Sequence, residues 1–395
     1  MNVYYDSNRK CWSILNKIGL TIGSNKKQLT TIETVEKHLY RFPILITEKN
    51  AGPIVGILTS YNKKKNIVGN ARLFTELQTL LRTHGGIIIV FAPEDIDESG
   101  ISGFAFLCEE NRWIHVNSPL PHIVYNRIPF RKTEKGVPFQ DALDILSNNH
   151  IPYFNPSFIN KFDLYEGLKQ HPVLKKYLPE TILITTATDL IQFLQLHKDI
   201  YIKPVQGYKG KNIVNLIGHQ DSSITCISPT STTSFPSFSS FWHSFQQIQK
   251  NTLFIAQKTI NAATFNHHRF DFRILVTFDH DGYALTGVGI RQSGSQEVTT
   301  HIPKGGQLLS YDLVQTKEHD EFIKILVENC GPALSEHFGF FGEFSIDACV
   351  DKEGNYYLFE VNSKPMLFDE AEIEAKRCTQ LVNLFYQLSQ IKLPE

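Results

Sequence analysis

The chain has 395 residues, a length that exceeds one ordinary hydrophobic core and favours two or three domains. Apolar residues make up 42% and charged residues 20%, which is typical of soluble globular proteins, and no apolar run approaches the ~18 residues of a membrane span. The net charge of −1 combines +8 over residues 1–82 with −9 over the rest. No nucleic-acid-binding motif accompanies the basic segment, so we expect a solvated surface and no nucleic-acid partner; a docking surface for an anionic partner is the alternative.

The cysteines and the first residues bear on the compartment. Six cysteines lie far apart without a C-x-x-C spacing, which argues against a zinc ribbon and against a disulfide scaffold. The start, "MNVYYDSNRKCW", lacks the apolar core of a signal peptide. We therefore expect a cytosolic protein that does not enter a membrane.

Two units are predicted in the first 150 residues. Residues 1–50 contain short strand-like pieces such as "CWSIL" and "FPILIT", which predict a small β-rich unit. In residues 51–150, the strand "PIVGILTS", the amphipathic helix "NARLFTELQTLLRTHGG" and the strand "IIIVFA" predict a parallel α/β domain. "HIVYNRIPFRK" adds a further strand that runs into a basic turn.

Residues 151–395 are predicted to form a third unit of mixed α+β character. Two helices, "KFDLYEGLKQHP" and "DLIQFLQLHK", precede the strands "IYIKPV" and "NIVNLI", which flank a glycine turn. The serine- and threonine-rich stretch of residues 219–241 predicts a mobile loop. "EFIKILVENCGPALSEHF" is predicted as a helix pair or a broken helix, and "EAEIEAKRCTQLVNLFYQL" as the last helix.

The stretch "GEFSIDACVDKEGNYYLFEVNSKP" predicts a hairpin of two half-buried strands around the turn "DKEGN". The register set by this turn pairs Asp351 with Tyr356, Asp347 with Glu360, and Ser345 with Asn362. Because side chains alternate along a strand, three oxygen-bearing side chains share one face: Asp347, Glu360 and Asn362.

Opposed carboxylates destabilise a sheet unless a shared proton, a basic neighbour or a cation offsets their repulsion. Oxygen ligands without sulfur or imidazole suit Mg²⁺, which is commonly held by one or two carboxylates and substrate phosphates. The alternative is an exposed pair that tolerates the repulsion.

Cationic positions on predicted strands indicate a phosphate ligand. Lys203 lies on a strand and is followed by a glycine turn over residues 206–211, which is not a Walker A loop and could be a plain hairpin. Lys161 opens a helix, and Arg291 ends a strand. Three charged residues alternate along "RFDFRILV" and share a strand face: Arg269, Asp271 and Arg273. A nucleotide polyphosphate with Mg²⁺ accounts for both the cations and the carboxylates.

The order of these segments resembles that of ATP-grasp enzymes over roughly residues 150–390. The matching stretches are "NKFDLYEGL", "LPETI", "IYIKPVQGYKGKNI", "LFIAQKTI", "FDFRILV", "IRQ", "THIPKGGQ" and the hairpin. In detail the chain resembles the YheC/YheD group of endospore-coat-associated ATP-grasp proteins, and "PHIVYNRIPFRK" extends that resemblance upstream. The resemblance implies an ATP-grasp fold preceded by a parallel α/β domain and a small β-rich unit.

The resemblance also implies roles for individual residues. Lysines that contact nucleotide phosphates are matched by Lys161 and Lys203, and the glycine loop over the phosphates by Gln206, Gly207, Gly210 and Lys211. The hinge strand that meets adenine is matched by Gln257, Lys258 and Ile260. Basic residues near the γ-phosphate and acyl-phosphate sites are matched by Arg273 and Arg291, and Mg²⁺ ligands by Asp347, Glu360 and Asn362.

Two departures from the family pattern concern the base and acceptor sides. The hinge has Gln257 and Lys258 where many relatives carry an acidic residue. The last motif reads Asn-Ser-Lys-Pro-Met, without the glycine that often follows proline. The second departure bears on the acceptor substrate and removes no phosphate or metal contact.

The function implied by the resemblance is an ATP- and Mg²⁺-dependent ligase that forms an amide through an acyl phosphate. Its substrates would be a small-molecule or peptide carboxylate and an amine, in the cytosol of a spore-forming cell or at the spore coat. The main alternative is a nucleotide-binding coat or assembly protein with little turnover, with spore-coat proteins as partners. Kinase-like transfer to a hydroxyl is a third hypothesis.

Overall fold

The structure is a computed structural model that describes residues 1–64, 66–207, 212–249, 252–293 and 306–392. Its mixed helices and sheets confirm the predicted α/β class with α+β character towards the C-terminus. Among the helices of these ranges, none combines the length and the apolar character needed to cross a bilayer.

The N-terminal segment forms two four-stranded sheets, as the β-rich pattern predicts. Its strands are β1 (Asn2–Asp6), β2 (Cys11–Leu15), β3 (Thr21–Ile22), β4 (Lys27–Gln28), β5 (Thr30–Ile32), β6 (Tyr40–Pro43), β7 (Leu45–Thr47) and β8 (Asn50–Gly52). The sheet orders are β5-β2-β1-β6 and β4-β3-β8-β7. Trp12 is buried, and its indole N–H donates to the carbonyl of Asn117 at 2.8 Å, which ties this segment to the next.

Residues 54–154, here called the first α/β unit, build a seven-stranded sheet and a separate two-stranded one. Its elements are β9 (Ile54–Leu58), β10 (Ser60–Tyr61), β11 (Ile67–Val68), α1 (Ala71–Thr83), β12 (Ile87–Phe91), β13 (Ile96–Asp97), β14 (Gly100–Leu107), β15 (Arg112–Ser118), β16 (Ile123–Asn126), α2 (Arg131–Glu134), α3 (Val137–Asn148) and β17 (Tyr153–Phe154). The central strands β12, β9, β16 and β17 are parallel, which confirms the predicted parallel layer. Helix α1 begins after Asn70, whose side chain accepts a hydrogen bond from the Leu73 amide.

The hairpin β14–β15 was not predicted from the sequence. It adds antiparallel strands to the parallel layer, since β14 pairs with β12 and β15 pairs with β14. Burial alternates along β15, where Ile114, Val116 and Ser118 face inward. The alternation is the usual sign of a half-buried strand.

Residues 161–258 form a six-stranded sheet of order β18-β23-β19-β20-β21-β22. Its elements are α4 (Lys161–Leu168), β18 (Thr181–Leu183), α5 (Ala187–His197), β19 (Asp199–Pro204), β20 (Val214–Gly218), β21 (Ile224–Ile227), β22 (Thr232–Phe235), α6 (Phe238–Gln249) and β23 (Phe254–Lys258). Helices α5 and α6 share one hydrophobic core with this sheet. Helix α5 starts with a capping box between Thr186 and Asp189.

The prediction of a mobile loop over the serine- and threonine-rich stretch was wrong. Strand β22 pairs with β21, and α6 follows three residues later. The aromatic side chains explain the ordered structure, because Phe235 packs edge-on against Phe241 at 5.5 Å and Phe241 is buried.

Residues 264–388 form a further six-stranded sheet and two long helices, one between the third-last and second-last strands of the chain and one after the last strand. Its elements are β24 (Thr264–Phe265), β25 (His268–Asp279), β26 (Gly282–Gln292), β27 (Gln307–Leu309), α7 (Lys317–Phe338), β28 (Glu343–Val350), β29 (Tyr356–Asn362) and α8 (Ala371–Leu388). The order is β27-β26-β25-β28-β29. The predicted break in α7 was wrong: the helix continues through Pro332. Its apolar face, including Phe322, Leu326 and Leu334, is buried, and that burial offsets the hydrogen bond that proline removes.

The C-terminal helix connects the last unit to the first α/β unit. Helix α8 packs against α1, and both contribute to one core with β9, β12 and β16. The predicted domain boundaries at residues 50 and 150 stay a prediction, because this core is built from both sides of residue 150.

A buried ion cluster joins these units. The Glu343 carboxylate on β28 accepts hydrogen bonds from Arg377 on α8 at 2.6 Å and from Arg127, next to β16, at 3.1 Å. The Tyr125 hydroxyl donates to the same carboxylate, and Arg377 also pairs with Glu374 at 3.0 Å. Burial alone would raise the pKa of Glu343, but the two arginines hold it below its ordinary value. We name these five residues the Glu343 cluster.

Removing one partner of this cluster should destabilise the fold strongly. Arg377→Met would leave the buried Glu343 carboxylate without its main counterion, so we expect the free energy of unfolding to fall by about 3–5 kcal/mol. Arg72→Met, which removes an exposed pair with Glu76, should change it by less than about 1 kcal/mol. Urea unfolding of both variants measures the difference, and equal effects would contradict a central role for the cluster.

Candidate functional site

The β28–β29 hairpin brings the predicted oxygen ligands together. Asp347 lies opposite Glu360 and Ser345 opposite Asn362, which confirms the predicted register at these two pairs. The Asn362 side-chain amide donates to the Asp347 carboxylate at 3.1 Å. The three side chains Asp347, Glu360 and Asn362 therefore lie at one end of the hairpin, away from the turn.

The third predicted pairing, Asp351 with Tyr356, was wrong. A bulge next to Asp347 shifts the register by one residue, so that Val350 faces Tyr356. The Asp351 carboxylate instead closes the turn by accepting hydrogen bonds from the backbone amides of Glu353 and Asn355 at 3.0 and 2.7 Å.

Lys161 reaches the hairpin from the first turn of α4, as the sequence predicts. The helix begins after Asn160, whose side chain accepts a hydrogen bond from the Asp163 amide at 2.7 Å. The Lys161 ammonium forms an ion pair with Glu360 at 2.7 Å. Only 12% of the Lys161 side chain is exposed, so this pair is largely shielded from solvent.

Lys203 lies on β19 and ends a chain of polar contacts across three strands. Its ammonium donates to the Gln257 side-chain oxygen at 2.6 Å, and the Gln257 amide donates to the Thr181 hydroxyl at 3.0 Å. Burial, together with the nearby Lys161, lowers the pKa of Lys203 to about 8 against the attraction of Glu360. A half-buried ammonium whose direct partner is a neutral amide is well placed to gain an anionic ligand.

Lys161, Lys203 and Glu360 line a cleft of about 370 Å³ between α4, β19, β23 and β29. The lining residues are Lys161, Leu164, Tyr165, Leu178, Pro179, Lys203, Ile255, Gln257, Leu358, Phe359 and Glu360. The lining combines apolar side chains with three charged ones, a combination that suits a ligand with a flat apolar part and an anionic part.

The remaining predicted nucleotide contacts divide into three groups. Gln206 and Gly207 follow β19 at the end of the strand that carries Lys203. Gly210 and Lys211 lie outside the described residues. Of the hinge residues, Gln257 lines the cleft, whereas the side chains of Lys258 and Ile260 are not part of the lining formed by the described chain.

The two predicted arginines lie on neighbouring strands of the last sheet. Arg273 on β25 donates to the Met366 carbonyl at 3.1 Å and stacks on the Phe368 ring at 4.4 Å. Arg291 on β26 acts electrostatically on Asp347. Within the described ranges Arg291 has neither a hydrogen bond nor an ion pair, so its guanidinium has donors available.

Electrostatics at Asp347 fit a cation ligand. Burial, together with the carboxylates of Glu360 and Asp271, raises its pKa to about 6 against the opposing effect of Arg291. The Ser345 hydroxyl, opposite Asn362 on the hairpin, is buried without a hydrogen-bond partner in the described structure. An all-oxygen set with an orphaned hydroxyl beside it has the chemistry that Mg²⁺ requires.

A segment that follows β29 is held by groups that the sequence did not single out. Residues 363–368 form no helix or strand, yet the Pro365 carbonyl accepts hydrogen bonds from Arg127 at 2.8 Å and from Arg377 at 3.2 Å. We call this stretch the post-β29 segment. Two arginines of the Glu343 cluster therefore also fix the chain directly after Asn362.

Lys364 in the post-β29 segment contacts the first α/β unit. Its ammonium pairs with Glu134 on α2, and it donates to the Asn126 side chain at 2.9 Å and to the Ile128 carbonyl at 3.3 Å. The only sequence signal for this contact is the lysine within "NSKP" together with the basic turn after β16.

Comparison with known proteins matches the chain to one family and to two named proteins. The family described as YheC/D-like ATP-grasp matches residues 150–390. The endospore coat-associated protein YheD of Bacillus subtilis is 29% identical over 355 residues, which cover 84% of this chain and 77% of YheD. The endospore coat-associated protein YheC of the same organism is 21% identical over 294 residues, covering 70% of this chain and 80% of YheC.

A solved structure supports the fold. The crystal structure of D-alanyl-alanine synthetase A from Vibrio cholerae aligns with a TM-score of 0.54 at 12% identity, covering 85% of this chain and 98% of that chain. At this identity the likeness concerns the arrangement of helices and strands.

The raised pKa of Asp347 makes the stability of the metal-free protein depend on pH. A carboxyl whose pKa rises from 3.8 to about 6 on folding stabilises the fold below pH 4 and loses that stabilisation as the pH rises through 6. Asp347→Asn removes the titration. The variant should equal the wild type near pH 4 and exceed its free energy of unfolding by about 3 kcal/mol at pH 8, since each unit of pKa difference is equivalent to about 1.4 kcal/mol.

Urea unfolding in EDTA between pH 4 and 8 tests this expectation. Asp281→Asn, in the exposed β25–β26 turn, is the control and should show the same difference from the wild type at every pH. A flat difference for Asp347→Asn as well would contradict the raised pKa.

Proposed function

The chain belongs to the YheC/D-like ATP-grasp family, and we propose that it is an ATP- and Mg²⁺-dependent ligase that joins a carboxylate to an amine. The observation that carries this proposal is a cleft lined by two lysines and one carboxylate, with a second carboxylate opposite the first on the same hairpin. Lys161 and Lys203 face Glu360 there, and Asp347 with Asn362 follows on the same hairpin. Polyanionic substrate and divalent cation each find complementary charge in this arrangement.

In this proposal the nucleotide occupies the cleft. Lys161 and Lys203 contact the phosphates, because both ammonium groups are shielded from solvent and point to the same space. Gln257 meets the base at the inner end, with the backbone of Lys258 and Ile260 beside it. The loop of Gln206, Gly207, Gly210 and Lys211 is assigned to the phosphates by its position after β19.

Mg²⁺ would be held by Asp347, Glu360 and Asn362. The donor set fits the ion, since two carboxylates and an amide oxygen supply the oxygen ligands that it prefers. When bound, Mg²⁺ neutralises charge on the transferring phosphate. Binding would also relieve the repulsion between Asp347 and Glu360, which is a contribution to the raised pKa of Asp347.

The reaction proceeds in two steps. A substrate carboxylate oxygen attacks the γ-phosphorus and displaces ADP, which gives an acyl phosphate; the amine nitrogen then attacks the acyl carbon, expels phosphate and loses a proton. Arg291 is assigned to charge that develops on the phosphoryl oxygens, because its donors are available within the described chain. Arg273 is assigned to the acyl-phosphate side, where it also fixes the Met366 carbonyl.

The names of the relatives suggest where this reaction takes place. Both curated relatives are called endospore coat-associated, so we propose that this chain acts in the cytosol of a sporulating cell or at its spore coat. The substrates would be small molecules or peptides that carry a carboxylate and an amine.

The same names favour a second candidate, a nucleotide-binding coat or assembly protein with little turnover. It would bind ATP through the same lysines and use coat proteins as partners. A screen for ADP release with pairs of acids and amines separates the two: release that requires both an acid and an amine supports the ligase, and ATP binding without release across the panel supports the assembly protein.

Lys203 should be important for nucleotide affinity and unfavourable for the stability of the unliganded protein. Lys203→Met removes a buried charge whose partner is a neutral amide, so ATP affinity should fall about tenfold while the melting temperature stays equal or rises. Titration calorimetry and thermal unfolding measure the two effects. Lys324→Met on the exposed face of α7 is the control and should change neither; an unaltered ATP affinity in Lys203→Met would refute the assignment.

Glu360 should connect nucleotide binding to Mg²⁺. Glu360→Gln keeps the size of the side chain but removes its charge, so the increase in ATP affinity that Mg²⁺ produces should be lost. Calorimetric titrations with and without Mg²⁺ measure this increase. Glu353→Gln, in the exposed turn of the same hairpin, should retain it, and a normal Mg²⁺ effect in Glu360→Gln would rule out the proposed ligand set.

A further inference from the structure

Arg131 is a cation that the first α/β unit places beside the cleft. It opens α2, and its guanidinium donates to the Ile159 carbonyl at 2.8 Å, two residues before Lys161. The same guanidinium stacks on the Phe158 ring at 4.7 Å. These two contacts fix its position next to the start of α4, within electrostatic range of Glu360.

Glu134, the acidic side chain on the same helix as Arg131, already has hydrogen-bond partners at both carboxylate oxygens. One Glu134 oxygen pairs with Lys364 and accepts from the Asn126 amide at 3.1 Å, and the other accepts from the Phe158 backbone amide at 3.0 Å. Lys364 also lies over the Phe158 ring at 4.5 Å. Two cations thus flank one ring, and the single carboxylate between them neutralises Lys364.

Arg131 itself has no direct ion-pair partner among the described residues. Of its five N–H donors, one makes a hydrogen bond with the described residues, and it has no ion pair there. Its pKa is lowered by burial, against the attraction of Glu134 and of Glu360, the carboxylate that lines the cleft. Glu360 itself is paired with Lys161.

We propose that Arg131 binds an oxyanion of a substrate in the cleft, as the contribution of the first α/β unit to a site otherwise formed by residues 161–362. A guanidinium that is held by one carbonyl and one ring presents its free N–H groups in a fixed plane, which suits two oxygens of a carboxylate or phosphate. The inference rests on the proposed function for the identity of the oxyanion, which is either the carboxylate substrate or the γ-phosphate of ATP.

Binding measurements on the full chain distinguish these two sources. The variants are Arg131→Gln, Arg131→Lys and, as matched control, Lys132→Gln, which alters the exposed neighbouring residue of the same turn. AMP-PNP and ADP affinities are measured by calorimetry with Mg²⁺. Acetate, the probe for a carboxylate, is titrated against the ADP–Mg²⁺ complex at constant ionic strength, and the melting temperature is followed.

A γ-phosphate contact predicts that Arg131→Gln weakens AMP-PNP about tenfold and leaves ADP unchanged. A substrate-carboxylate contact predicts that both nucleotides bind normally and that the acetate-dependent rise in melting temperature disappears. Arg131→Lys, which keeps the charge without the planar fork, should fall between the wild type and Arg131→Gln, and it replaces Arg131→Gln if that variant does not fold.

The proposal is overturned if Arg131→Gln binds AMP-PNP, ADP and acetate as the wild type does, or if Lys132→Gln loses as much. A wild-type protein that binds no nucleotide at all would overturn the proposed function instead. In that case acetate titrated against the protein alone still tests Arg131.

Discussion

The buried carboxylate of Glu343 is the interaction on which the arrangement of the units depends. Three elements that are distant in sequence reach it: β16 through Tyr125 and Arg127, β28 through Glu343 itself, and α8 through Arg377. A fully buried charge is tolerated only when its hydrogen-bonding capacity is filled, and here each partner comes from a different part of the chain. The cluster thereby fixes the positions of the first α/β unit, the β28–β29 hairpin and helix α8 relative to one another.

The same arginines carry this constraint to the site. Arg127 and Arg377 donate to the Pro365 carbonyl, three residues after Asn362. Lys364 ties the intervening chain to Glu134, and Arg273 holds the next carbonyl, that of Met366. The chain directly after β29 is therefore fixed by cations from three elements, which explains how a segment without regular structure can hold the end of the strand that carries Asn362.

Local patterns were enough to predict much of this structure. Alternation and turn chemistry predicted the pairing of Asp347 with Glu360, and the predicted helix start at Lys161 was also confirmed. Two predictions drawn from local patterns failed. The bulge beside Asp347 inserts a residue that alternation cannot reveal, and the serine-rich stretch folds because Phe235 and Phe241 find partners in a distant core.

What the sequence could not supply was long-range polar pairing. Nothing near Arg131 or Lys364 in the sequence indicates that both lie on the ring of Phe158, or that a single carboxylate serves one of them. The Glu343 cluster spans residues 125–377, and its members share no periodicity that would connect them. Such contacts depend on how the units assemble, which periodicity within one element does not encode.

The ion pair between Lys161 and Glu360 has a consequence for whether ligands bind singly or together. Without ligands, each group serves as the counterion of the other inside a largely shielded cleft. A polyanion that binds Lys161 alone leaves the Glu360 carboxylate without a counterion, and a cation that binds Glu360 alone leaves the Lys161 ammonium without one. Either binding event by itself therefore yields less binding free energy. When the polyanion and the cation bind together, the ion pair inside the protein is replaced by two ion pairs with the ligands. For the proposed ligands, this internal pair favours binding of the metal–nucleotide complex over binding of either component alone.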